Sequence, residues 1–216
     1  MNSMSRLMIG SLLILVGPPV QAADGQNIFT QGGQNPAAMA CLGCHGADAK
    51  GIAAAGFPRL AGLSAAYLRK QLDDFAAGSR QQPVMTPLAS ALSAQEREAV
   101  STWLAALPAE PVSGLRRQQM AASAVERLAL YGDWSREIPG CVQCHGPGGG
   151  GLGDAFPPLA GQPTAYLAGQ LNAWRDGSRR NDPNQLMVGV AKAMSDAEII
   201  AVADYFAQLP QTEVRP

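Results

Sequence analysis

The chain has 216 residues, with 16 basic and 17 acidic side chains and a formal net charge of −1. It holds only three lysines, Lys50, Lys70 and Lys192, and no basic stripe, which argues against a nucleic-acid partner. It has four cysteines and two histidines in all.

Residues 1–22 read as an export signal. Arg6 is the positive end, Leu7 to Val16 the apolar core, and Val20-Gln21-Ala22 supplies small residues before a cut after Ala22. The apolar core is ten residues long, where a membrane span needs about 20. An uncleaved anchor is the alternative. Export would leave 194 residues in the periplasm with a net charge near −2.

All four cysteines and both histidines fall in two motifs, Cys41-Leu42-Gly43-Cys44-His45 and Cys141-Val142-Gln143-Cys144-His145. Cys-x-x-Cys-His is the attachment signature of a c-type haem. Two thiols bond the porphyrin and the adjacent His is an axial ligand to iron. Zinc or a disulfide pair are the alternatives. Ninety-six residues separate Cys44 from Cys141, against roughly 15–20 in a zinc ribbon.

The two motifs belong to a longer repeat. Phe57-Pro58-Arg59-Leu60-Ala61-Gly62 returns as Phe156-Pro157-Pro158-Leu159-Ala160-Gly161. Tyr67, Leu68, Gln71 and Leu72 return as Tyr166, Leu167, Gln170 and Leu171. Gly78-Ser79-Arg80 returns as Gly177-Ser178-Arg179, Met85 as Met187, and Trp103 as Tyr205. The period is half the exported chain, so this is a tandem duplication. The predicted division is 23–108 for the first domain, 109–114 for a linker around Pro111, and 115–216 for the second domain.

Each copy predicts the same helices and no strand. A leading helix lies near Gln26 to Thr30, and near Arg117 to Tyr131. A glycine-rich irregular loop follows each histidine. A middle helix runs from Ser64 to Ala77 and from Thr164 to Asp176, with Ser64 and Thr164 as N-caps and Gly78 and Gly177 as stops. The last helix opens on Ser93-Ala94-Gln95-Glu96 and on Ser195-Asp196-Ala197-Glu198, both capping boxes, and ends before Pro108 and Pro210. Trp103 and Tyr205 pack it on the leading helix. The fold class is all-α.

A second axial ligand has few sources, because no His or Cys is spare. Beyond the signal the methionines are Met39, Met85, Met120, Met187 and Met194. Met85 and Met187 occupy equivalent positions in loops between the middle and last helices. Thioether ligation raises the reduction potential and closes the iron to substrate, which suits one-electron transfer. The other reading is core filling, assigned here to Met39 and Met194. The carbonyls of Pro58 and Pro157 could hold the axial histidines or merely shape a turn. Arg80, Arg179, Tyr67 and Tyr166 could bond haem propionates, or be an exposed pair and a core pair.

Taken together, the duplicated Cys-x-x-Cys-His-Gly, Phe-Pro-x-Leu-Ala-Gly, Tyr-Leu-x-x-Gln-Leu, Gly-Ser-Arg and the repeated methionine resemble the dihaem cytochrome c4 family over the whole exported chain. The resemblance implies two tandem class I cytochrome c domains, each of three or more helices around a covalent haem c. It implies iron ligation by His45 with Met85 and by His145 with Met187, with thioether bonds from Cys41, Cys44, Cys141 and Cys144. It implies a periplasmic electron carrier, not itself an enzyme, whose redox partners are a quinol-oxidising complex or dehydrogenase and a terminal oxidase. Peripheral association with membrane complexes is compatible with it. The run Trp134 to Pro139 looks more like a cytochrome subunit of a periplasmic oxidoreductase. A dihaem enzyme such as a peroxidase is a third reading, disfavoured by the paired methionines.

Overall fold

Asp24 accepts from the backbone N–H groups of Gln26 and Asn27 and so starts the first helix, α1 (Gly25–Gln31). The computed structural model describes residues 24–108, 121 and 123–209. The predicted signal, the linker 109–114, Met120 and most of the stretch before α6 lie outside the described residues.

The first half continues with α2 (Leu42–His45), α3 (Ala65–Ala77), α4 (Met85–Ala91) and α5 (Ala94–Ala106). The second half carries α6 (Ala124–Tyr131), α7 (Cys141–His145), α8 (Thr164–Asp176), α9 (Leu186–Ala193) and α10 (Asp196–Gln208). Both predicted capping boxes form: Ser93 accepts from Glu96 N–H and Ser195 from Glu198 N–H, while each Glu accepts from its serine's backbone. Gly78 and Gly177 end α3 and α8 in the left-handed region, at φ 76° and 80°.

Four expectations need correction. Thr164 is not a cap: Pro163 takes that position without a side-chain bond, because Pro163 rather than Thr164 stands where Ser64 does. Met85 and Met187 are not in loops; Met85 opens α4 and Met187 is the second residue of α9. A short antiparallel hairpin forms in the second half, β1 (Gly132–Asp133) against β2 (Ile138–Pro139), and a 3-10 turn occupies Pro147–Gly149 in the glycine-rich loop. Met39 is not core; it is 64% exposed. Met194 and its counterpart Leu92 are both buried, as expected.

Each half has its own apolar core. Phe29, Leu68, Val100 and Leu104 fill the first, and Ile138, Ile199, Val202 and Phe206 the second. The Trp103 ring lies 5.1 Å from Phe29, which joins α5 to α1. Gly25 permits that approach: a Cβ there would lie 2.2 Å from the carbonyl oxygen of Ala99.

The halves meet through equivalent residues. Gln81 N–H donates to Ser178 O at 2.8 Å and Arg180 N–H to Ser79 O at 2.7 Å. Arg80 donates to Gln71 of its own half at 2.9 Å and to Gln170 of the other at 2.6 Å. Arg179 does the reverse, to Gln170 at 2.9 Å and Gln71 at 3.1 Å. This reciprocity is a local pseudo-twofold relation. Other contacts break it, among them the Gln162 side chain, which pairs with both backbone groups of Arg59 at 3.0 Å where the first half has Leu63, and Asn181, which donates to Gln71 and Asp74 of the other half.

Candidate haem centres

The haem motifs fold as single helical turns, α2 and α7. A left-handed glycine follows each histidine, Gly46 at φ 79° and Gly146 at φ 77°. A second pair, Gly51 and Gly151, donates back to the histidine carbonyls at 2.9 and 2.7 Å. At Gly51 a Cβ would lie 2.5 Å from Phe57 O, so only glycine lets the returning strand close on the motif.

That closure brings a proline carbonyl to each ring. His45 Nδ1 donates to Pro58 O at 3.0 Å and His145 Nδ1 to Pro157 O at 2.8 Å. The proton is thereby assigned to Nδ1, and Nε2 keeps the lone pair that iron needs. Both rings are buried. Burial pushes each imidazole below its ordinary range, against the opposing pull of its proline carbonyl. Neutral, oriented imidazoles result.

The four cysteine sulfurs are half-buried and none pairs in a disulfide. Among the described residues no group of three His, Cys, Asp or Glu converges as a metal site. A zinc centre shared by the two motifs is therefore not built.

Met85 and Met187 are half-buried at equivalent helix starts. Their backbone N–H groups are held from behind, by Gln82 Oε1 at 2.6 Å and Asp182 Oδ2 at 2.8 Å. Sequence reading missed both helices and both caps. The signal was the Asp182-Pro183 pair, an acceptor side chain followed by a residue that begins a turn.

Arg80 and Arg179 are not the exposed pair that surface arginines usually form. They are 6% and 5% exposed. Each guanidinium stacks on an aromatic ring of its own half, Arg80 on Phe75 at 4.5 Å and Arg179 on Trp174 at 4.0 Å. Arg80 also donates to the Tyr166 hydroxyl at 3.2 Å. Neither pairs with a carboxylate among the described residues, so two buried positive charges share one junction. Haem supplies two propionates per ring, and that charge balance fits the group.

The sequence profile of the Cytochrome c family matches residues 22–108 and 135–210, one segment per half. The chain belongs to the cytochrome c family.

Within it, the cytochrome is 57% identical over 213 residues to the "Thiosulfate dehydrogenase electron acceptor" of Stutzerimonas stutzeri (strain A1501), covering 99% of both chains. Among solved structures it is similar to "Thiosulfate dehydrogenase (TsdBA)" from Marichromatium purpuratum, at TM-score 0.78 and 44% identity. The match covers 88% of this chain and 40% of that longer one. It is also similar to cytochrome c4 from Pseudomonas stutzeri, at TM-score 0.68 and 35% identity over 79% of this chain and 93% of that one. The cytochrome is thus a helical, two-domain protein of the dihaem c4 type, carrying covalent haem c and serving electron transfer.

Proposed function

We propose that the cytochrome is a periplasmic acceptor of single electrons from a thiosulfate-oxidising dehydrogenase, passing them on to a further redox protein without itself performing substrate chemistry. Cys41 and Cys44 attach the first haem, and Cys141 and Cys144 the second. His45 with Met85, and His145 with Met187, are the axial pairs. The observation that carries this reading is the proline-held Nδ1 of both histidines, which presents two equivalent neutral ligands. When bound, haem supplies a one-electron couple. The chain's own part is to fix ligand orientation, exclude water and balance the propionates with Arg80 and Arg179.

The dehydrogenase as donor is supported by the 57% identical relative and by the longer TsdBA chain. A second reading makes the cytochrome a standing subunit of such an assembly. The 40% coverage of TsdBA favours it, since a related module there is one part of a longer polypeptide. The 66% exposed Trp134, on the hairpin just before the second motif, also favours it.

The test is optical. The oxidised holoprotein should show two low-spin haems with the red-region sulfur-to-iron band, and Met85→Ala and Met187→Ala should each remove half of it. A high-spin ferric haem in the native protein would overturn the closed-site reading. Stopped-flow mixing with a thiosulfate dehydrogenase plus thiosulfate should reduce both haems, and co-elution of the two proteins separates subunit from carrier.

A further inference from the structure

The two ligand-bearing helices are started by different chemistry. In the first half, the neutral amide of Gln82 accepts from Val84 N–H at 2.7 Å and Met85 N–H at 2.6 Å. In the second, the carboxylate of Asp182 accepts from Met187 N–H at 2.8 Å and Val188 N–H at 3.1 Å. The geometry is shared and the charge is not.

The Asp182 carboxylate turns one oxygen, Oδ2, to these backbone N–H groups. The second oxygen, Oδ1, is buried with no hydrogen-bond partner among the described residues. Arg175, Arg179, Arg180 and Lys192 line the same cleft, of about 340 Å³, but among the described residues none forms an ion pair with Asp182. The charge is therefore held against the backbone of Met187 and is not cancelled by direct contact. With haem bound, a negative charge held against the ligand's backbone would stabilise Fe(III) over Fe(II), an effect that weak screening carries over many ångströms.

We propose that Asp182 is a positioning residue that sets the second haem apart from the first: it seats Met187 and lowers the reduction potential of the haem that Met187 ligates. This rests on Met187 as axial ligand. Gln82 seats Met85 in the same way without lowering the potential of its haem.

The experiment is a spectroelectrochemical titration of the holoprotein with Asp182→Asn and Gln82→Glu, each near-isosteric and each keeping an acceptor for the two N–H groups. Asp182→Asn should raise one potential, by up to about tenfold in the one-electron equilibrium, about 59 mV, and leave the other in place. Gln82→Glu should lower the other potential. Both variants should keep the full red band. If Asp182→Asn leaves both potentials unchanged, the proposal fails. If it abolishes half the band, the carboxylate is needed only to hold the helix and the charge effect fails with it. Met187→Ala reports separately on the parent reading: an undiminished band there removes Met187 as ligand, whatever Asp182→Asn does.

Discussion

Arg136 donates from both terminal nitrogens to Glu198, Nη1 to one oxygen at 3.0 Å and Nη2 to the other at 2.7 Å. The same carboxylate closes the capping box of α10 through Ser195 N–H at 2.8 Å. One side chain thus ties the hairpin before the second motif to the last helix. The first half does the equivalent with a backbone group, Gln34 N–H to Glu96 at 2.6 Å.

This clamp gives the second half an acid-sensitive joint. Arg136 first, and then the Ser195 backbone, hold the Glu198 carboxyl down at about 2, below an ordinary glutamate near 4.3. A depressed folded-state value means stabilisation that is complete above the unfolded value and is lost as pH falls toward 2. Thermal melts between pH 5 and pH 2 should show the midpoint falling across that window, and Glu198→Gln should flatten the dependence. Arg136→Ala should lower the midpoint at pH 7.

The reciprocal junction should behave as a single cooperative contact. Arg80→Leu leaves Gln71 and Gln170 short of a donor and removes the partner of Tyr166. Removing charged hydrogen bonds from a buried site costs about 3 kcal/mol. Calorimetry should show the unfolding endotherm of the wild type split into two, with Arg179→Leu doing the same from the other side.

Gln162 offers a narrower test of the same junction. Gln162→Leu installs the residue that the first half carries at Leu63, yet strips Arg59 N–H and C=O of their partner. The expected loss is about 2 kcal/mol, read by denaturant unfolding. A neutral outcome would show that this asymmetric contact contributes nothing.

Two glycines should respond with opposite sign. Gly25→Ala forces a methyl group against Ala99 O and the Trp103 side chain, and should cost about 1–3 kcal/mol. Gly169, within α8, has open space around a Cβ and an ordinary helical backbone. Gly169→Ala should stabilise by about 0.5–1 kcal/mol, visible as a raised melting temperature.

What was legible in the sequence was local. Ser93 with Glu96 and Ser195 with Glu198 are three residues apart, and the motif cysteines and histidines are contiguous. What was hidden was either distant or competed for. Gln71 and Arg179 are 108 residues apart, and nothing in either neighbourhood announces that they meet. Thr164 looked like a cap because its side chain suits the role, but the chain turns one residue earlier, at Pro163. Pro83 and Pro87 around Met85, and the turn-rich Asn181-Asp182-Pro183-Asn184 before Met187, point to loops, whereas Gln82 and Asp182 supply acceptors that let helices begin there. The hairpin escaped because two residues per strand carry no alternation to read.

The exchange between Arg80 and Arg179 has the form of an isologous contact, in which residue i of one copy meets residue j of the other and j meets i. Gln71 and Gln170 complete that pattern. An undoubled ancestor with the same arginine and glutamine would already bury them against a second copy of itself. Joining the genes of such a dimer needs no new interface, only a tether. A tether would release each half from having to match itself, and Gln162 opposite Arg59 and Asp182 beside Met187 are positions where the two halves differ.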